Sequence, residues 1–384
     1  MPSAVEQEIR ALIGKHGRIT FAQFMDMCLY SPLGGFYSSR ANRISAHFRT
    51  SPTSHPVFGA LIARQLEQMW RLLGEPPAFH LIEVGSGDGA LAHSIVDACG
   101  QTYPALAKTL RYVAADYEPW WPPLGAAPAD GAQRGMWDVQ RVKTEGLLPF
   151  RNVFGCVLSN ELLDNFPFHR FVIQDGRARE VFVTLEGDSF AEVLDEPSSP
   201  RIKERLASLG MSLPDGFRGE VSLAQESWTA QLAQTLERGF ALTIDYGERA
   251  PDLYSPQNAG GTLVCFQQHV LSADPYQLIG QQDITALVDF TALMQLGDRH
   301  GLTTVGYTLQ RDFLESLGFS SFFESVLAQE QSYAYRELKR MAMMSLVDPE
   351  EHGDFKVLAQ AKGMGPGVEL LGFKGGLGQA NANA

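Results

Sequence analysis

The spacing of apolar residues changes along the chain, and with it the predicted structure. Through the first 75 residues it follows the helical period. "AVEQEIRALIGKHG" and "TFAQFMDMCLY" repeat apolar positions three and four apart, which places them on one helix face. A turn-rich stretch, "SPLGGFYSSRANRISAHFRTSP", precedes the longer amphipathic "PVFGALIARQLEQMWRLLG", whose Gly74 suits a helix C-cap. That segment is read as core-facing, with a homodimer face as the alternative. After the linker "GEPPAF", short apolar runs alternate with helical stretches. "FHLIEV", "LRYVAAD", "NVFGCVLSN" and "RGFALTIDYG" are predicted strands; "GALAHSIVDACG" and "AQESWTAQLAQTLE" are predicted helices. Such alternation predicts an α/β fold with a parallel, doubly wound sheet. Ligands then sit at the carboxyl ends of the strands, where Glu83, Asp116, Asn160 with Glu161, and Asp245 fall.

The expected organisation is a helical N-terminal segment over 1–75 and a main domain over 76–374. Residues 195–217, "DEPSSPRIKERLASLGMSLPDGF", read as an insertion over the sheet. Between Thr262 and Phe290 a strand, "GTLVCF", leads through a polar loop into a predicted helix, "DITALVDFTALMQLGDRHG". "FKVLAQAKGMGPGVELLGF" is expected to close the sheet, and 375–384 to be a disordered tail.

With 45% hydrophobic and 20% charged residues the chain has the composition of a soluble globular protein. No apolar run approaches the roughly 20 residues of a membrane span, and the N-terminus has no signal-peptide core; the expectation is a cytoplasmic protein without a membrane partner. A net charge of −13 disfavours nucleic acid, which requires a basic face. It suits a basic substrate, or simple solubility. Cys28, Cys99, Cys156 and Cys265 form no C-x-x-C pair and the histidines show no ligand spacing, so neither disulfides nor a metal site are expected.

Chemistry concentrates in "HLIEVGSGDGALAHSIV". Gly85, Gly87 and Gly89 are spaced G-x-G-x-G, with Glu83 two residues ahead; a dinucleotide loop would read G-x-G-x-x-G. Three readings remain: a loop for S-adenosyl-L-methionine, a dinucleotide loop, and a structural turn. The first fits best, because a donor without phosphate needs no third glycine one position later. Backbone at Gly85, Ser86, Gly87 and Gly89 would lie against the donor. Asp116, ending the second strand, would accept from its ribose hydroxyls, and Asn160 lies at the same mouth.

The loop "LSNELLDNFPFHRF" follows the third strand. If the acceptor is a guanidinium, two carboxylates can grip its fork of donors and fix one nitrogen toward the methyl group. Glu161 is the first candidate and Asp164 the second; the alternative is that Asp164 and Asn165 cap a turn ahead of Pro167. His169 reads as a strand residue alternating outward rather than a base. Asp245 and Tyr246 either line the site or form a turn. His269 is a weaker candidate, and Asp283 reads as a helix N-cap.

Together, "ITFAQFMDMCLYSPLGGFY", "FRTSPTSHPVFGALIA", "IEVGSGDGALA", "NELLDNFPFHRF", "LTIDYG", "GTLVCFQQHV", "DITALVDF" and "FKVLAQAKG" resemble the MidA-type methyltransferases. That family includes the mitochondrial complex I assembly factor that acts as a protein arginine methyltransferase. The resemblance implies a seven-stranded class I methyltransferase sheet, S-adenosyl-L-methionine as donor, and helical additions that build an acceptor cleft. It places Glu83, Gly85, Gly87, Gly89 and Asp116 on the donor. Thr50, Ser51, Pro52, Asn160, Glu161, Asp164 and Asp245 fall on the acceptor side, with Asn165 beside them. Two departures stand out: Ala46 and His47 where the family has glycine and acid, and a loop from Pro119 to Gly125, carrying Trp120 and Trp121, where it has a helix. The expected activity is methylation of a protein arginine. Methylation of a small molecule at oxygen or carbon, or a non-catalytic assembly role, are the alternatives.

Overall fold

Four of the predicted strands, "FHLIEV", "LRYVAAD", "NVFGCVLSN" and "RGFALTIDYG", join one mixed sheet in the computed structural model, which describes residues 2–38, 50–117, 139–144, 148–267 and 270–374. The predicted "GTLVCF" strand, Val264–Gln267, pairs in a separate three-stranded sheet. Ala46, His47, Trp120, Trp121, His269 and the 375–384 tail lie outside the described residues. The chain forms two units. The first comprises Met1–Phe48, Leu163–Thr229 and Gly247–Leu293; the second comprises Arg49–Leu162, Ala230–Tyr246 and Met294–Ala384. This division differs from the segmentation read from sequence. Residues 195–217 are a small part of the first unit, which draws on three stretches of the chain.

The second unit carries the seven-stranded sheet: β1 (Phe79–Val84), β2 (Leu110–Asp116), β3 (Gln140–Lys143), β4 (Val153–Asn160), β5 (Leu236–Asp245), β6 (Thr303–Leu309) and β7 (Lys356–Lys362). Their order is β6-β7-β5-β4-β1-β2-β3, with β7 alone antiparallel to its neighbours. β1 and β4 are buried along nearly their whole length, as expected of parallel strands covered on both faces. The strand order reverses between β1 and β4, the place where such sheets bind ligands. Helix Val57–Leu72 buries its apolar stripe, Phe58, Leu61, Ile62, Leu66 and Met69. It is thus the core-facing helix, not an exposed dimer face. It meets helix Ala90–Thr102 so closely that a Cβ on Gly59 would lie 2.0 Å from Ser94 Oγ.

In the first unit, Ser3 caps helix Ala4–His16, and Thr20 with Gln23 forms a capping box on helix Phe21–Tyr30. Strands 169–174, 177–186, 189–195 and 218–221 pair antiparallel, and Ile19–Thr20 joins them. The helix expected from Asp283 onward begins only at Phe290. Asp283–Thr285 and Val288–Asp289 are strands, and the helix runs Phe290–Arg299. The β-branched Ile284, Thr285 and Val288 are buried on the strands. Asp289, not Asp283, accepts from the Ala292 N–H at 2.9 Å. Beyond β7 the expected closing segment adds only a 3-10 turn at Leu371–Phe373. All four cysteines are buried free thiols. Among the described residues no helix is long and apolar enough to cross a membrane, and no cluster of acids, histidines or cysteines could hold a metal ion.

Candidate functional site

The carboxyl ends of β1, β2, β4 and β5 gather most of the expected residues in the second unit. After β1 the backbone turns left-handed at all three glycines, with φ of +76° at Gly85, +52° at Gly87 and +81° at Gly89. A side chain would cost roughly 1–2 kcal/mol at each. The Gly85 N–H donates to the Ala115 carbonyl at 2.9 Å, and the Gly89 N–H to the Ser86 carbonyl at 2.9 Å. The Gly87 N–H donates to Asp116 Oδ2 at 2.7 Å. One oxygen of Asp116 therefore anchors the loop. Two buried acceptor atoms, Ser86 Oγ and Asn160 Oδ1, find no hydrogen-bond partner among the described residues. Buried polar atoms are satisfied by something, so a polar ligand that reaches loop and strand end fits them.

Glu83 is held within the sheet by the neighbouring strand. It is 3% exposed, and its Oε2 accepts from the Tyr112 hydroxyl of β2 at 2.7 Å. Burial pushes its carboxyl up to about 8, with Asp116 and Asp88 adding to the rise and Tyr112 opposing it. At neutral pH it is mostly a neutral group that shapes the loop's strand.

Glu161 follows β4 with φ of +50°, an uncommon conformation for a residue with a side chain. Its N–H donates to the Ile244 carbonyl at 2.9 Å. Its Oε1 accepts from Asn160 Nδ2 at 2.9 Å and from the Ser51 N–H at 3.1 Å; Oε2 accepts no hydrogen bond among the described residues. Burial raises the Glu161 carboxyl, opposed by His352 and by the Ser51 and Asn160 hydrogen bonds. Ser51 opens the short helix Ser51–Ser54, where Thr50 forms a capping box with Thr53 and Pro52 fits the first turn. Buried Ser51 bonds through Oγ to Gln310, whose Nε2 donates to the Leu346 carbonyl at 2.9 Å. Thr50, Ser51 and Pro52 are thus brought to Glu161. Asp245, fully buried, accepts from the Leu162 N–H at 3.1 Å and the Tyr246 N–H at 2.9 Å, so it holds the chain just after Glu161.

Asp164 and Asn165 belong to the first unit, on the 3-10 turn Leu163–Asn165, and both are buried. Asn165 Oδ1 accepts from the Tyr37 hydroxyl at 2.9 Å, and Nδ2 donates to Asp283 Oδ1 at 2.9 Å. Its main-chain carbonyl accepts from the Tyr30 hydroxyl at 3.1 Å. Burial pushes Asp283 up to about 7. His169 does not point outward: its Nδ1 lies 2.7 Å from Oε1 of the fully buried Glu180. Sequence reasoning missed Tyr112, Gln310 and His352. Tyr112 carried a signal, a hydroxyl opening the apolar run "YVAA" of its strand; Gln310 and His352 carried none, since their partners lie far away in sequence.

The chain matches a family model of S-adenosyl-L-methionine-dependent methyltransferases over residues 61–308. It is 28% identical to the mitochondrial protein arginine methyltransferase NDUFAF7 homolog of Drosophila melanogaster, covering 95% of this chain and 85% of that one. With the Danio rerio protein arginine methyltransferase the identity is 26%, over 90% and 85%. A Burkholderia thailandensis crystal structure with S-adenosyl-homocysteine bound superposes with a TM-score of 0.82 at 28% identity, covering 98% of this chain and 96% of that one. The glycine loop, the acid ending β2 and the unsatisfied Ser86 and Asn160 oxygens agree with that donor. The protein is an enzyme that uses S-adenosyl-L-methionine, and the chain belongs to this family of S-adenosyl-L-methionine-dependent methyltransferases.

Proposed function

We propose that the enzyme methylates an arginine side chain of a protein. The observation that carries this reading is Glu161: a carboxylate in a left-handed turn, pinned through Oε1, with Oε2 accepting no hydrogen bond among the described residues and His352 near enough to lower the carboxyl. The two similar protein arginine methyltransferases, which match along most of the chain, support it. S-adenosyl-L-methionine supplies a methyl group on a positively charged sulfur. Glu161 would accept hydrogen bonds from the guanidinium and turn one nitrogen toward that methyl group. As the N–C bond forms, the C–S bond breaks and its electron pair stays on sulfur. The nitrogen then loses a proton, which Glu161 takes up. Burial makes this carboxylate more basic than an exposed one, which suits proton uptake. The N-terminal residues contribute through Thr50, Ser51 and Pro52, whose helix fixes Glu161. We place the enzyme in the cytoplasm, where free thiols such as its four cysteines persist.

The test uses a strain lacking the protein, so that acceptors remain unmethylated. Purified enzyme and methyl-labelled S-adenosyl-L-methionine are added to its lysate. Label in methylarginine of a discrete protein, lost with Glu161→Gln while donor affinity is kept, is the expected result. Label confined to small molecules, or full activity of Glu161→Gln, overturns the reading.

A further inference from the structure

A helix far along the chain from the site residues turns its apolar side outward. Helix Tyr333–Met344, "YAYRELKRMAMM", exposes Tyr333 (75%), Tyr335 (65%), Leu338 (62%), Met341 (63%) and Met344 (41%). At about 100° per residue these five fall on one arc of roughly 200°, with Ala334, Glu337 and Ala342 between them. Arg336 and Lys339 lie toward the other side and are engaged there. Arg336 donates to the Glu330 carbonyl at 2.7 Å, and Lys339 pairs with the Glu330 carboxylate at 2.8 Å. Met343 is fully buried. A surface helix usually keeps residues of this kind off its solvent face.

Taking large apolar side chains at about 150–200 Å² each, the exposed fractions leave on the order of 500 Å² of apolar surface. That lies at the upper end of the largest patch on an ordinary monomer, about 300–600 Å². It is more than half of the roughly 800 Å² that each partner gives to a standard interface.

We infer that this face is a homodimer interface in which the helix packs antiparallel against its own copy across a two-fold axis. The sequence of the face is self-complementary about the helix midpoint, between Leu338 and Lys339. There a two-fold brings Glu337 of one copy opposite Arg340 of the other, twice, on the same flank of the contact. It brings Tyr333 opposite Met344, a favourable sulfur–aromatic pairing, and bulky Tyr335 opposite small Ala342. Leu338 and Met341 fill the centre. Within one chain Glu337 and Arg340 already pair at 2.8 Å, so the dimer would join two such pairs into an alternating four-charge cluster. An interface of this kind is isologous and closes on itself, leaving no open end for further growth.

The test is sedimentation velocity on the full-length enzyme over a wide concentration series. The wild type is expected to sediment with the mass of two chains, and Leu338→Glu with Met341→Glu to sediment as one. Charge reversal separates this geometry from any other apolar contact. Glu337→Arg or Arg340→Glu alone places like charges opposite each other and should weaken the dimer by roughly tenfold or more. The two reversals together restore opposite charges and should restore the dimer. A wild type that stays monomeric at every concentration overturns the inference, even if the helix then captures another protein. So does a dimer indifferent to the Leu338/Met341 change, or a double reversal weaker than either single one.

Discussion

Glu83→Gln should make the enzyme more stable, and increasingly so as the pH rises. In the folded protein burial lifts the Glu83 carboxyl from 4.5 to about 8. Below pH 4.5 the group is protonated in both folded and unfolded chains and costs nothing. Between the two values the unfolded chain releases its proton and the folded chain keeps it. Stability therefore falls by about 1.4 kcal/mol per pH unit, a total of roughly 5 kcal/mol, complete above pH 8. Glutamine has nearly the same shape, still offers an oxygen to the Tyr112 hydroxyl, and does not titrate. Any cost of burying its amide is independent of pH and leaves the slope intact. The assay is the difference in Tm between variant and wild type from pH 5 to pH 9, in which the other titrating groups cancel. At about 2 °C per kcal/mol the difference should widen by roughly 8 °C. A difference that does not change with pH would refute the assignment of a buried, raised carboxyl. Because the group is mostly neutral at pH 7, the variant should also keep its affinity for S-adenosyl-L-methionine. A collapse of donor affinity would show instead that Glu83 acts as a charged ligand.

Other perturbations probe the same strand ends. Gly85→Val forces a β-branched residue to φ of +76° and brings its Cβ within 3.0 Å of Leu162 Cδ1; donor binding measured by calorimetry should be lost. Asp245→Ala leaves the Leu162 and Tyr246 N–H groups without their acceptor, at about 1–3 kcal/mol each, and should lower both Tm and methyl transfer. If methyl transfer needs ionised Glu161, activity should fall with acid at a pH above the ordinary carboxylate value of 4.5, since burial raises this group. A pH–rate profile of wild type against His352→Gln checks the cause: His352 lowers the Glu161 carboxyl, so its removal should move that limb to higher pH.

The gathering of the expected donor residues at adjoining strand ends was legible because it is local. A strand, a glycine turn and a helix are consecutive in sequence, and parallel strands put their next polar residues at the same edge. Asp116, Asn160, Glu161 and Asp245 could thus be placed from apolar run lengths alone. What failed was whatever depends on distant partners. Glu83 could be placed at its strand end, but its hydrogen-bond partner, Tyr112 on the neighbouring strand, could not be read. "DITALVDF" has a helix-compatible spacing, yet pairing of Asp283–Thr285 with Val264–Phe266 outweighs it. The division into units was hidden for the same reason, since each unit is assembled from three separate stretches of chain.

Asn165 shows how the two kinds of information separate by experiment. Its sequence position, beside Asp164 and ahead of Pro167, suggests a substrate contact. The structure commits its side chain at both ends, to Tyr37 and to Asp283, inside the first unit. The residues of the donor loop all belong to the second unit. Asn165→Ala would strip a hydrogen-bond donor from buried Asp283, which keeps the Tyr37 hydroxyl as a partner, a loss of about 1–3 kcal/mol. It would also push Asp283 above its present value of about 7, because the Asn165 hydrogen bond lowers it. The expected variant therefore melts earlier, more so at alkaline pH, where ionising Asp283 costs most, and binds S-adenosyl-L-methionine as the wild type does. If it melts like the wild type while its KM for the acceptor rises alone, Asn165 is a substrate ligand and the scaffold reading is wrong.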